Sequence, residues 1–212
     1  MKVKGLKLRL KEKAHWENVY QTKSPNQVSW FQEEPKLSMI LINRFAQNKE
    51  SSLIDVGGGA SRLIDQLLVN GFNNTTVLDI SENALNHSKE RLGCVKKNVK
   101  WVVQDIKDLS IQTKFDIWHD RALFHFLNSS EEKKAYLKNL EANLNPGGIV
   151  ILFTFSEEGP LKCSGLEITR YDQKTMIELI GPHFKCLHFQ KETHQTPLNN
   201  EQNFNIWVFK RI

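Results

Sequence analysis

Cysteine is scarce in this 212-residue chain, and the three present, Cys94, Cys163 and Cys186, lie far apart. None forms the close pair that a zinc site or a dithiol redox motif uses, so neither is expected and no metal site is assigned. An odd number of thiols without an export signal points to free cysteines. Long apolar runs are missing too: none approaches the roughly 20 residues that cross a bilayer. Where a secretory signal would place its apolar stretch, the chain carries Lys7, Arg9, Lys11, Glu12 and Lys13. Leu6, Leu8 and Leu10 alternate as in a strand, unlike an amphipathic transit helix. A cytoplasmic protein with no membrane partner is expected. There is no repeat, low-complexity block or linker. Residues 1–212 therefore read as one domain of ordinary composition, 40% apolar and 25% charged.

The net charge of +5 is local. Residues 1–13 hold six lysines and arginines against Glu12, and the rest of the chain carries 23 basic and 23 acidic residues. A neutral body with a basic tail lacks the broad phosphate-tracking face of a nucleic-acid reader. An acidic partner for the tail is the minority alternative to simple solvation.

Helix signals run from Lys13 to Lys23, with Trp16 and Tyr20 on one face, and from Pro35 to about Gln47. From Ser52, short apolar runs alternate with amphipathic segments. Strands are expected at Ser52–Val56, Thr75–Asp79, Val99–Val103, Phe115–His119 and Gly148–Phe155, with a helix over Ala135–Leu144. A helix at Asp172–Ile180 and strands at Phe184–Lys191 and Asn203–Arg211 follow. This pattern predicts a parallel sheet covered on both faces. Residues 1–50 would form N-terminal cap helices, 51–155 a cofactor-binding core, and 156–212 a substrate-side lid with the last strands.

The strongest local signal is LIDVGGGAS, residues 53–61. Glycines at a strand end let the backbone turn sharply and approach a ligand. NAD, FAD, ATP and S-adenosylmethionine proteins all use such turns, so the context must decide. Asp79 ends the next strand, 22 residues after Gly57, where an acid accepts hydrogen bonds from ribose hydroxyls. Asp105 follows the third strand, where an adenine amino group offers a donor. Asp55, before the first glycine, would repel a pyrophosphate but suits an ammonium and a sulfonium. Arg62 stands where a dinucleotide fingerprint has its third glycine. These positions favour S-adenosylmethionine over NAD.

Residues 52–155 resemble class I S-adenosylmethionine-dependent methyltransferases in the acid-x-Gly-x-Gly loop, the two later acids, and Pro146-Gly147-Gly148 before the fifth strand. Ser61 stands where the family often has glycine. The resemblance implies a single Rossmann-like three-layer α/β/α sandwich. Its sheet would be seven-stranded and mostly parallel, with an antiparallel last strand. Asp55, Gly57, Gly58 and Gly59 would cradle the methionine part of the cofactor and Asp79 its ribose. Ile80 and Ile106 would sandwich the adenine, Asp105 would bind its amino group, and His119 would face the amino end. Residues 16–32 are similar to the N-terminal segment of a bacterial methyltransferase group and of protein-lysine methyltransferases. That makes Trp16, Tyr20 and Trp30 lid candidates, with plain burial against the sheet as the alternative. The strings DIWHDRALFHFL, CSGLEITRYD and HQTPLNNEQNF are similar to the same bacterial group.

The acceptor, a small molecule or a protein side chain, is expected outside the C-terminal ends of the parallel strands. Segments 119–121, 156–171 and 192–202 would converge there, with Arg170, Tyr171 and His194 as substrate-binding candidates. His125, His194 and Asp120 are the catalytic candidates. A base is needed only if the nucleophile arrives protonated, and structural or positioning roles compete at each histidine. An NAD-linked oxidoreductase and an inactive methyltransferase-fold binding protein are the two alternatives from other classes. Oligomeric state is open.

Overall fold

The computed structural model describes residues 2–212, with side chains from Leu10 onward. Helices α1 (Lys2–Thr22) and α2 (Lys36–Phe45) precede β1 (Leu53–Val56), α3 (Leu63–Val69), β2 (Thr75–Asp79), α4 (Glu82–Leu92), β3 (Val99–Val103) and β4 (Phe115–Arg121). Then come α5 (Ser130–Asn143), β5 (Leu144–Phe155), the two-residue strands β6 (Lys162–Cys163) and β7 (Leu166–Glu167), α6 (Gln173–Ile180), β8 (Phe184–Gln195) and β9 (Glu201–Arg211).

The seven long strands form one sheet in the order β3-β2-β1-β4-β5-β9-β8, with β9 antiparallel to its neighbours. Every residue of β1 and β2 is buried, as expected of strands covered on both faces. Side chains alternate across β4. Trp118 joins Tyr136, Leu140 and Trp207 on the α5 side, while Ile117 joins Leu41, Ile42 and Leu67 on the α2 side. The chain order reverses between β1 and β4, and the ligand crevice of an open parallel sheet lies at such a switch point.

Three expectations need correction. The N-terminal alternation of leucines does not make a strand, because α1 begins at Lys2. Lys, Leu, Arg and Glu are good helix formers, and extending a nucleated helix is easier than starting a strand with no edge to pair. The side chains of Leu6, Leu8 and the tail cations before Leu10 lie outside the described residues. Residues 192–202 are mostly strand, since β8 and β9 stay paired to Gln195↔Glu201 and only 196–200 turn. Asn145-Pro146-Gly147 lies inside the irregular start of β5, where Gly147 adopts φ +77° and the pairing with β4 shifts register. No described helix is long and apolar enough to cross a membrane.

Candidate active site

The turn after β1 is built for close approach. Gly57 adopts φ +71°, a region L-residues avoid. A Cβ on Gly58 would stand 2.5 Å from Asp55 Oδ2 and 2.7 Å from Val77. Gly59 lies behind this turn, where a Cβ would come within 3.0 Å of Asp79 and of the Tyr20 hydroxyl. Asp55 is buried, with its Oδ1 2.7 Å from His119 Nδ1. The other ring nitrogen of His119 lies 2.9 Å from Ser38 Oγ on α2.

Above the C-terminal strand ends lies a cavity of about 330 Å³. Gly57, Asp79, Ile80, Asp105 and Ile106 line its sheet side, and Trp16, Tyr20 and Trp30 line its N-terminal side. A smaller neighbouring cavity reaches Asp55, Gly58 and His119, and shares Gly57, Tyr20, Trp30 and Arg121 with the first. Asp79 is buried and accepts the Ser81 N–H at 2.8 Å. Burial pushes its pKa up to about 7; the Ser81 N–H opposes this, and the charges of Asp55 and Glu17 add to it. Asp105 Oδ1 accepts the Lys107 N–H at 2.9 Å, while its buried Oδ2 accepts no hydrogen bond.

Two contacts clamp α1 over the cavity. The Glu17 carboxylate accepts hydrogen bonds from Ser81 Oγ and from the N–H groups of Glu82 and Asn83, at 2.8–3.0 Å, so it caps α4 from outside. Lys107 Nζ sits 2.6 Å from Glu12, 3.2 Å from Glu132 and 3.5 Å from Asp105. Burial opposes the lysine charge, but the three carboxylates outweigh it and hold its pKa above the ordinary value. Between these clamps, Trp16 packs edge-on against Trp30 and Phe126, at 5.7 and 5.1 Å between ring centres.

Arg121, at the end of β4, lines both cavities, and its sequence signal is its place directly after His119-Asp120. Its Nη1 donates to the Trp30 carbonyl at 3.0 Å, and its enclosed Nε and Nη2 have no hydrogen-bond partner. Burial lowers its pKa to about 10, with Glu192, Cys163 and Asp55 pulling the other way.

The acceptor-side candidates lie elsewhere. None of Asp120, His125, Arg170, Tyr171 and His194 lines either cavity. Asp120 is fully buried on the α5 face, accepting from the Leu123 and Phe124 N–H groups and from the Tyr136 hydroxyl. Burial raises its pKa to about 6, against these hydrogen bonds. His125 stacks on Phe155 at 4.6 Å, and burial, then Arg121, drives its pKa down to about 3. His194 donates from Nε2 to the Ser29 carbonyl at 2.9 Å, so it anchors the N-terminal segment. Tyr171 belongs to the α5-side core, and Arg170 donates to the carbonyls of Glu157 and Gly159. Tyr171 and His194 thus stand apart from both cavities. Asp120→Ala would strand two N–H groups and a buried hydroxyl, a loss of about 2–4 kcal/mol. The melting midpoint should fall by about 5–10 °C; an unchanged midpoint would contradict this structural assignment.

Comparison with known proteins agrees with this geometry. A family model described as a methyltransferase domain matches residues 47–210. EEF1A lysine methyltransferase 2 of Danio rerio is 30% identical over 169 residues, which cover 74% of this chain and 69% of that protein. Malonyl-(acyl-carrier protein) O-methyltransferase 2 of Ilyobacter polytropus is 28% identical over 109 residues, half of this chain and only 40% of that relative's length. The crystal structure of a SAM-dependent methyltransferase from Anabaena variabilis shares the fold, with a TM-score of 0.76 at 17% identity over 97% of this chain and 95% of that one. This chain belongs to the S-adenosylmethionine-dependent methyltransferase family.

Proposed function

We propose that the chain transfers the methyl group of S-adenosylmethionine to a slender acceptor, a small molecule or one projecting side chain, held under α1 and the β6–β7 hairpin. The observation that carries this reading is one continuous cavity lined by Gly57, Asp79 and Asp105, the ends of three successive parallel strands. The residues fit the cofactor. Gly57 and Gly58 offer bare backbone to the cavities at positions where a Cβ would collide with Leu123, Asp55 and Val77, and Asp105 keeps a buried acceptor atom for an amino donor.

In this reading Asp79 accepts the two ribose hydroxyls, while Ile80 and Ile106 flank the adenine and Asp105 takes its amino group. Asp55, backed by His119, faces the cofactor's ammonium through the Gly57–Gly58 backbone. Arg121 takes the carboxylate, since it is the cation shared by both cavities and Lys107 is already ringed by three carboxylates. Trp16, Tyr20 and Trp30 cover the ligand and exclude water. The bound sulfonium supplies an electrophilic methyl group, and in-line placement of the acceptor provides much of the rate.

The relatives are named for different acceptors, a malonyl thioester carrier and a protein lysine, so the acceptor chemistry is sought in this chain's own cavity wall. Incubating the protein with methyl-labelled cofactor and a cell extract, then separating proteins from small molecules, tests the activity. Label should leave the cofactor for one fraction; label confined to the cofactor would contradict the proposal.

A further inference from the structure

Once the cofactor's parts are assigned to the sheet side, one wall of the large cavity has no role. It is made by His15 from α1, beside the lid residue Trp16, by Phe126 and Asn128 after β4, and by Cys163 and Leu166 from the small hairpin. His15 is the one histidine, among the described residues, that lines this cavity. Its Nε2 lies 3.2 Å from the Ser164 hydroxyl, and its ring packs edge-on against Trp16 at 5.1 Å. Ser164 adopts φ +51° and Gly165 φ +77°, the paired left-handed residues of a tight two-residue hairpin turn. That turn holds the hydroxyl out toward α1. The imidazole is therefore oriented by a partner on the facing element, as a positioned base must be.

We propose that His15 takes the proton that the acceptor sheds, and that the acceptor presents a hydroxyl or an ammonium on a mainly apolar body. This rests on the cofactor reading above. In the tautomer that gives Nε2–H to Ser164, the lone pair sits on Nδ1. Loss of the acceptor's proton to Nδ1 frees an oxygen or nitrogen lone pair, which bonds the methyl carbon. The carbon–sulfur bond breaks with its electron pair left on sulfur, and an imidazolium remains. Burial and the nearby charge of Lys23 hold the His15 pKa below its ordinary value, which favours the neutral ring that a base requires. The other charged side chains on the cavity's outer rim are Lys11, Glu12 and Glu167; Glu12 pairs with Lys107 and Glu167 with Lys162. A carboxylate acceptor, already deprotonated, would need no such base. The aromatic and aliphatic character of Trp16, Phe126 and Leu166 suits the apolar remainder of the acceptor.

The test needs no acceptor. Sinefungin carries an ammonium-bearing carbon where S-adenosylmethionine carries its methylsulfonium, so the ammonium reports what faces the methyl group. Calorimetric affinities for sinefungin and S-adenosylhomocysteine should differ by about tenfold in favour of sinefungin, the worth of one charge-assisted hydrogen bond. His15→Phe keeps the ring packing but cannot accept a proton. It should abolish that preference while leaving S-adenosylhomocysteine affinity within about twofold. Ser164→Ala, which removes only the latch, should retain a preference. A wild-type ratio near one, or the same ratio in His15→Phe as in wild type, overturns the proposal. Failure of wild type to bind S-adenosylhomocysteine would instead overturn the cofactor reading.

Discussion

Asp79→Ala should weaken S-adenosylhomocysteine binding by about a hundredfold and leave the fold intact. Two hydrogen bonds to a carboxylate are lost, each worth about 1.5 kcal/mol at the low end, and 1.4 kcal/mol is tenfold in affinity. The fold should survive because Asp79 lies at the end of β2, where its carboxylate bonds the neighbouring N–H groups of Ile80 and Ser81, the latter at 2.8 Å. Removing a buried acid whose pKa stands near 7 also relieves repulsion from Asp55 and Glu17. The sign of the pH dependence follows. Burial raises the pKa in the free protein, and ribose hydroxyls bind the ionised form. Affinity should therefore be full above about pH 8 and fall by up to tenfold per unit as pH drops below 7. Asp79→Asn should flatten this dependence. Calorimetric titrations between pH 6 and 8.5 check both statements, and a pH-independent affinity in wild type would remove Asp79 from the ribose site.

The second large effect is expected at Arg121. Its Nε and Nη2 are enclosed without a hydrogen-bond partner, and its Nη1 is bonded to the lid backbone at Trp30. A cofactor carboxylate would complete that set. Truncating one partner of a buried hydrogen-bonded charge pair costs about 2–5 kcal/mol, or at least thirtyfold in affinity. Arg121→Met should show this loss with S-adenosylhomocysteine and almost none with 5′-methylthioadenosine, which lacks the amino-acid end. Equal losses for both ligands would mean that Arg121 acts only by holding Trp30. Glu192, whose pKa burial raises and Arg121 lowers, would then be its main charge partner.

The sheet was readable in the sequence because its signals are local. β2 and β3 lie at the expected residues, and the antiparallel last strand follows the family pattern. The turn at Gly57 and the acids at Asp79 and Asp105 are fixed by strand ends, so spacing alone brings them to one rim. The acceptor side was much less readable. Rim position says nothing about which face of a strand a side chain takes, and Asp120 turns to the α5 face while its neighbours His119 and Arg121 turn to the other. The sequence pattern ends the strand at Lys191, before His194, but pairing continues past it and leaves its imidazole bonded to Ser29. His15 and Lys107 carry no local signal, because their partners, Ser164, Glu12 and Glu132, are 25 to 149 residues away in sequence. No periodicity reports contacts of that range.

Titrating purified protein at pH 8 with S-adenosylhomocysteine and, separately, with NAD tests the central claim most directly. The account predicts saturable one-site binding of S-adenosylhomocysteine and no measurable heat from NAD. At a hundredfold excess over the dissociation constant, such binding adds about 2.7 kcal/mol of stability, or roughly 5–10 °C in the melting midpoint. Binding of NAD with no response to S-adenosylhomocysteine would contradict the account.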